Sequence, residues 1–347
     1  MTRRTPQWAR YSDAQLLRLR FRDLRLGTPR RAVLRRALRR VHAELAARDI
    51  QLTPHFWFSD EWFSPDGVPG IAIPFYLAHP RLERLERRMS HGVEGGNATG
   101  LMRILRHEVG HVVDTAFRLR RRKQWREVFG SPSVPYPDRY SANPASRQFV
   151  THLDGWYAQA HPAEDFAETF AVWLAPRSNW RRRYAGTPAL EKLLAMDALM
   201  NEIKGRRPVV RAASRIDPVA SNDTTLRDYY RRHLQRRVDC DFSIVDRALD
   251  RAFGSLAGSR APGRRGAHRR ADACLRAAKP ALIDHLMKHS TLDEYGAEQL
   301  VQLAIERSRE RRLWLHGSAQ ARRLAAEAAV RRLARAAMRG ETMRFTL

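Results

Sequence analysis

Two histidines and a glutamate set the first expectation for this chain. The segment LMRILRHEVGHVVDTAF holds His107-Glu108-Val109-Gly110-His111, the HExxH spacing. On a helix His107 and His111 stand one turn apart, so both imidazoles can reach one ion. Glu108 is rotated about 100° from them. That offset suits a general base acting on a water beside the ion, and it keeps Glu108 out of the ligand set. Alone the motif also fits a helix with two incidental core histidines. A third donor is needed, because a catalytic zinc takes three protein ligands and leaves a position open. Downstream, HPAEDFAETFAVWLAP offers Glu164 and Glu168, again one turn apart, with Phe166, Phe170 and Trp173 on the far side. Acids near a helix N-terminus can simply complement its dipole. That accounts for Glu164 and Asp165 but not for Glu168, deeper on the same face. His161 and Asp165 flank Glu164 and could themselves reach a metal.

These side chains need helices to carry them. The spacing predicts a helix over about 100–121, with Met102, Leu105, Val109, Val112, Ala116 and Leu119 as a core stripe opposite the histidines. Gly110 leaves one flank of it open to close approach by another element. A second helix runs from about Pro162 to Ala175, and Pro176 stops it. Upstream, 12–26 and 29–48 read as basic amphipathic helices, the latter opened by Thr28 and Pro29. Residues 51–63 and 70–78 read as strands joined by the turn PDGVPG. Pro74 cannot donate to a ladder, which marks 70–78 as an edge strand able to hold an extended substrate if it borders the metal cleft. Residues 130–156 form an irregular connection. Beyond about 205 only helical patterns appear, interrupted by the arginine- and glycine-rich loop 258–270.

The chain of 347 residues carries a formal charge of +27, with only five lysines among its 64 basic residues. Such charge can mark an anionic partner such as nucleic acid or an acidic membrane surface. Here the arginines are spread through nearly every helix and no nucleic-acid fold signature is present. A solvated basic surface is therefore the favoured reading, with nonspecific nucleic-acid binding as the alternative. No run of eighteen apolar residues is present, and the basic start lacks a secretory leader's continuous apolar core. Cys240 and Cys274, the only cysteines, show no metal spacing. These features predict a cytoplasmic protein with free thiols and no membrane span.

HEVGH with a later Glu164-xxx-Glu168 resembles the gluzincin pattern of zinc peptidases. HEVGHVVD and AEDFAETF are similar to the catalytic domain of anthrax lethal factor over about residues 100–175. Over most of 1–205 the chain, with GWYAQ and HPAEDFAETFAVWL, resembles a bacterial group of zinc-binding metallopeptidases. The resemblance implies Zn²⁺ held by His107, His111 and Glu164, with Glu108 as base for a zinc-bound water. It implies Glu168 as the acid that orients a ligand histidine, and Tyr157 as an aid to the transition state, though Tyr157 also reads as an ordinary loop tyrosine beside Trp156. The expected fold is α+β: a zincin-like catalytic domain over 1–205 with a small mixed sheet and active-site helices, a linker over 206–222, and an all-α domain of unassigned role over 223–347. The expected activity is hydrolysis of peptide bonds in a narrow protein or peptide target. The alternative is a basic helical nucleic-acid-binding protein with a structural or non-peptidase zinc site. His285 and His289 also stand at i,i+4, but no nearby acid completes a site, and they read as surface or capping histidines.

Overall fold

The structure, a computed structural model, describes the chain except residues 1–4, 30, 91, 239, 240, 255, 256, 259–268 and 347. It is mostly helical with small sheets, as an α+β reading requires. Most of the loop 258–270, Cys240 and His268 lie outside the described residues. The chain divides into two compact units, 1–135 with 161–238 and 136–160 with 239–347.

The first unit holds helices α1 (Asp13–Leu16), α2 (Ala32–Ala46), α3 (Pro80–Met89), α4 (Ala98–Phe117) and α5 (Lys123–Phe129). After the excursion into the second unit come α6 (Pro162–Leu174), α7 (Trp180–Arg183), α8 (Pro188–Ile203) and α9 (Leu226–Val238). Its strands, β1 (His55–Ser59) and β2 (Gly70–Pro74), pair in parallel from His55 opposite Gly70 to Ser59 opposite Pro74. Both are shorter than the sequence pattern suggested, and Phe75–Ala78 turns into a 3-10 helix. Nor is β2 a bare edge. The connection from β1 doubles back so that Phe63 bridges Ala72 on the other side, and all five β2 residues are buried.

Residues 12–26 do not form the expected helix. After α1 the chain turns and then forms a 3-10 helix over Phe21–Leu24, and Phe21 N–H donates to Thr224 O while Leu226 N–H donates to Leu19 O. These long-range backbone bonds take the groups a continuous helix would have used. Residues 206–222, read as a linker, run beside β1 and the end of α4. Trp57 Nε1 donates to Ile216 O at 2.9 Å, and Ala116 O accepts from Val209 and Val210 N–H.

Helix α4 opens at Asn97, whose side chain accepts from Gly100 N–H at 2.8 Å. Its predicted stripe is the core: Leu105, Val109, Val112, Ala116 and Leu119 are fully buried and Met102 nearly so. Helix α6 opens at His161 with Pro162 in its first turn, and buries Phe166, Phe170 and Trp173. The two helices touch at Gly110. A Cβ there would lie 2.8 Å from Ala167 Cα and 3.1 Å from its carbonyl oxygen, so only glycine allows this approach. On the other flank Arg106 makes two bonds of 2.7 and 2.8 Å to the buried carboxylate of Glu44 on α2. Removing one partner of such a buried pair costs about 3–5 kcal/mol.

The second unit comprises β3 (Arg139–Ala142), α10 (Ser243–Phe253), β4 (Ala257–Gly258), β5 (Arg269–Arg270), α11 (Ala271–His289), α12 (Glu294–Glu310), β6 (Trp314–Leu315), α13 (Ala319–Met338) and β7 (Met343–Thr346). β3 and β7 pair antiparallel, and Tyr140, Ala142, Trp156 and Ala160 join the core of α10–α13. The C-terminal helices thus come with short strands, where the sequence pattern suggested helices alone.

Candidate metal centre

His107, His111 and Glu164 bring one ligand atom each to within 4.8 Å of one another. His107 Nε2 lies 3.0 Å from Glu164 Oε2, His111 Nε2 lies 3.2 Å from the same oxygen, and the two ring nitrogens are 3.2 Å apart. Zinc bonds of roughly 2.0–2.1 Å to nitrogen and oxygen in tetrahedral geometry place neighbouring ligand atoms about 3.3 Å apart. The three separations match that edge to within a few tenths of an ångström. Two imidazoles and a carboxylate also form the donor set of an open, catalytic type of zinc site. The group could hold a metal ion.

The partners of these donors fix their direction. Glu168, fully buried, sits 2.8 Å from His107 Nδ1. With a metal at the site, an N–H on that nitrogen would donate to the carboxylate and leave the Nε2 lone pair to the ion. The electrostatics follow from packing acids and imidazoles together out of water. Burial alone pushes His107 down, but Glu164 and Glu168 outweigh it and hold the ring well above the ordinary histidine range. Burial pushes Glu164 up, yet His111 and His107 leave it well below the usual carboxylate range. A cation bound here would compete with protons for the same donors.

Glu108 lies next to this group. Burial raises its pKa; His107 and His111 pull it down, Glu164 pushes it up, and a hydrogen bond from Ser64 lowers it again, leaving it above the ordinary value. A buried carboxyl with a raised pKa is better suited to taking a proton than an exposed one.

The flanking candidates are occupied elsewhere. His161 Nδ1 accepts from Ala163 N–H at 3.1 Å to cap α6, and its Nε2 is 2.7 Å from Val134 O. Asp165 turns away to Lys192 on α8 at 2.5 Å and Thr169 at 3.4 Å. Burial lifts Asp165 to about 6 despite the lysine. Tyr157 belongs to the second unit, on the 3-10 turn Tyr157–Gln159, with its ring edge-on to Tyr140.

One neighbour had no signal in the sequence. Ser64 Oγ lies 3.0 Å from Glu108 Oε2 and 3.2 Å from Glu108 O. It rides on the connection between β1 and β2, whose far side is tied by Asp66 to Arg120 at 2.6 Å. Arg120 in turn donates to the fully buried Asp114 of α4 at 2.7 Å. A serine before a Pro-Asp-Gly turn reads as turn chemistry, and nothing local links it to a residue 44 positions away.

Residues 87–186 match the model of a family described as "Putative zinc-binding metallo-peptidase", the group that the signature around His107 and Glu164 resembles. The match spans α4, α6 and all three potential metal ligands, His107, His111 and Glu164. Searches of curated proteins and of solved structures returned no match, so the likeness to lethal factor rests on the motif.

Proposed function

We propose, from the premise of that zinc-binding metallopeptidase match, that this chain hydrolyses peptide bonds with Zn²⁺ on His107, His111 and Glu164. The observation that carries the reading is convergence. Three ligand atoms from two helices meet at tetrahedral spacing, with one further carboxylate, Glu108, buried beside them and engaged by a neutral hydroxyl. When bound, zinc supplies a Lewis acid that lowers the pKa of water from 15.7 towards about 7 and polarises a carbonyl.

The chain's own groups do the rest. Glu168 keeps His107 aimed through Nδ1. Glu108 takes a proton from the water that attacks the peptide carbonyl, then delivers it to the departing amine nitrogen. Tyr157 as a donor to the developing oxyanion is part of the proposal on the resemblance alone. A narrow protein or peptide target in the cytoplasm completes the reading, because unrestrained proteolysis would harm the host.

The test pairs metal analysis with cleavage of a peptide library by the wild-type chain and Glu108→Gln. We expect about one zinc per chain in both, and turnover reduced roughly 10²–10⁴-fold in the variant. Comparable cleavage by both proteins would remove Glu108 from the mechanism.

A second reading, electrostatic association with nucleic acid, is favoured by one observation. Arg331, Arg332 and Arg335 are exposed on α13 and, among the described residues, have no carboxylate at ion-pair distance. Such binding would fall steeply with salt. It is compatible with a peptidase and does not replace it.

A further inference from the structure

The hydroxyl of Ser64 meets two acceptors of the same residue, the side-chain Oε2 of Glu108 at 3.0 Å and its backbone carbonyl oxygen at 3.2 Å. A serine has one hydrogen and two lone pairs. Placed between a residue's own carbonyl and its own carboxylate, that group fixes the side-chain torsions joining them. Glu108 is only 6% exposed, so bulk water does little to orient the carboxylate.

Ser64 is itself held on both sides. Before it, Phe63 O accepts from Ala72 N–H of β2 at 2.9 Å. Beyond it, Asp66 is tied at 2.6 Å to Arg120, which also grips Asp114 of α4. The hydroxyl is thus carried by a clamped segment, anchored to the sheet on one side and to the end of the site helix on the other.

We propose that Ser64 is the positioning residue of the general base. It anchors Glu108 through Oε2, and so assigns the proton traffic of the reaction to Oε1. The proposal rests on the reading of Glu108 as base. Its chemistry balances without any net transfer to serine. While Glu108 is ionised, Ser64 O–H donates to Oε2. When Oε1 takes a proton from water, Oε2 becomes the carbonyl oxygen of the acid and still accepts the same bond. When that proton passes to the amine, the carboxylate returns to its first state. A lysine or arginine in this place would favour the ionised form alone, and a backbone carbonyl the protonated form alone. A neutral hydroxyl donor serves both.

The experiment uses the full zinc-loaded chain as wild type, Ser64→Ala and Ser64→Thr. We expect Ser64→Ala to keep its zinc and its KM within about twofold and to lose about 10- to 100-fold in kcat, the worth of a hydrogen bond to a charged group. Ser64→Thr, which keeps the hydroxyl, should recover most of that loss. A second measurement needs no turnover: urea unfolding of the metal-free chain in a cycle of Ser64→Ala with Glu108→Met. Ser64→Ala should lower the midpoint clearly in wild type and much less in the Glu108→Met background. Equal effects in both backgrounds overturn the proposal, as does a Ser64→Ala enzyme with wild-type kcat or a threonine that rescues nothing. A wild-type chain that cleaves no peptide would instead sink the peptidase reading itself, so the two failures are told apart.

Discussion

Helices α4 and α11 carry the same pattern, two histidines four residues apart, and the structure uses them differently. The rings of His107 and His111 have centroids 4.9 Å apart, those of His285 and His289 4.5 Å apart. Spacing does not separate them. What separates them is the neighbouring helix. Against α4, the Gly110–Ala167 contact lets α6 come close enough for Glu164 to reach both ring nitrogens and for Glu168 to hold His107 from behind. On α11, His289 is exposed and, among the described residues, His285 Nε2 has no hydrogen-bond partner. Among the described residues the α4 pair alone joins a group of three potential ligands. An i,i+4 pair is a chelating fork. A site needs a second element to supply charge and orientation.

Four variants break or sharpen that contrast. The largest effect belongs to His107→Ala, which removes a donor and also takes away the ring that Glu168 Oε1 meets at 2.8 Å. Zinc measured on the purified protein should fall from about one per chain towards none, since each donor contributes on the order of 3 kcal/mol to binding. Glu168→Ala keeps all three donors and frees the ring that Glu168 orients; competition with a chelator should show zinc held about 10- to 100-fold more weakly. Unchanged affinity would mean the carboxylate at 2.8 Å does not tune the ligand. Gly110→Ala adds one carbon at 2.8 Å from Ala167 Cα and pushes the helices apart. Overpacking of this kind costs about 1–3 kcal/mol, partly offset by about 1 kcal/mol of helix propensity, so a lowered Tm and a several-fold loss of zinc affinity are expected. The smallest effect is that of His285→Ala with His289→Ala. Zinc stoichiometry and affinity should not change, and stability should move by no more than about 0.5 kcal/mol. A second zinc lost with that pair would show that α11 completes a site after all.

Local pattern carried much of the site. The HExxH spacing, the stripe from Met102 to Ala116, and the opposed acids and aromatics of α6 are helical periodicities, and each lies within one element. The sequence could also name Gly110 as a place of close approach, because a missing Cβ is written in the residue type. It could not say which partner would arrive. The same limit explains where the pattern misled. Residues 12–26 have an amphipathic helix's composition, but backbone pairing with 222–226 claims their polar groups. Residues 70–78 alternate like one long strand, but pairing stops at Pro74 and Phe75–Ala78 turns into a 3-10 helix. His161 and Asp165 had ligand chemistry and the right neighbourhood; a helix cap and a lysine on α8 engage them instead.

By itself the sequence determined the kind of chemistry: side-chain type at helical spacing fixes which donors can share a face, since neighbours within a turn are set by covalent geometry. Tertiary structure decided everything that depends on residues far apart in the chain. It placed Glu164 within reach of both imidazoles while His161 and Asp165 met other partners, brought Ser64 to Glu108 across 44 positions, and grouped 136–160 with the C-terminal helices. Those outcomes turn on which buried groups find partners across elements, and the free energy of such pairing belongs to the packed whole.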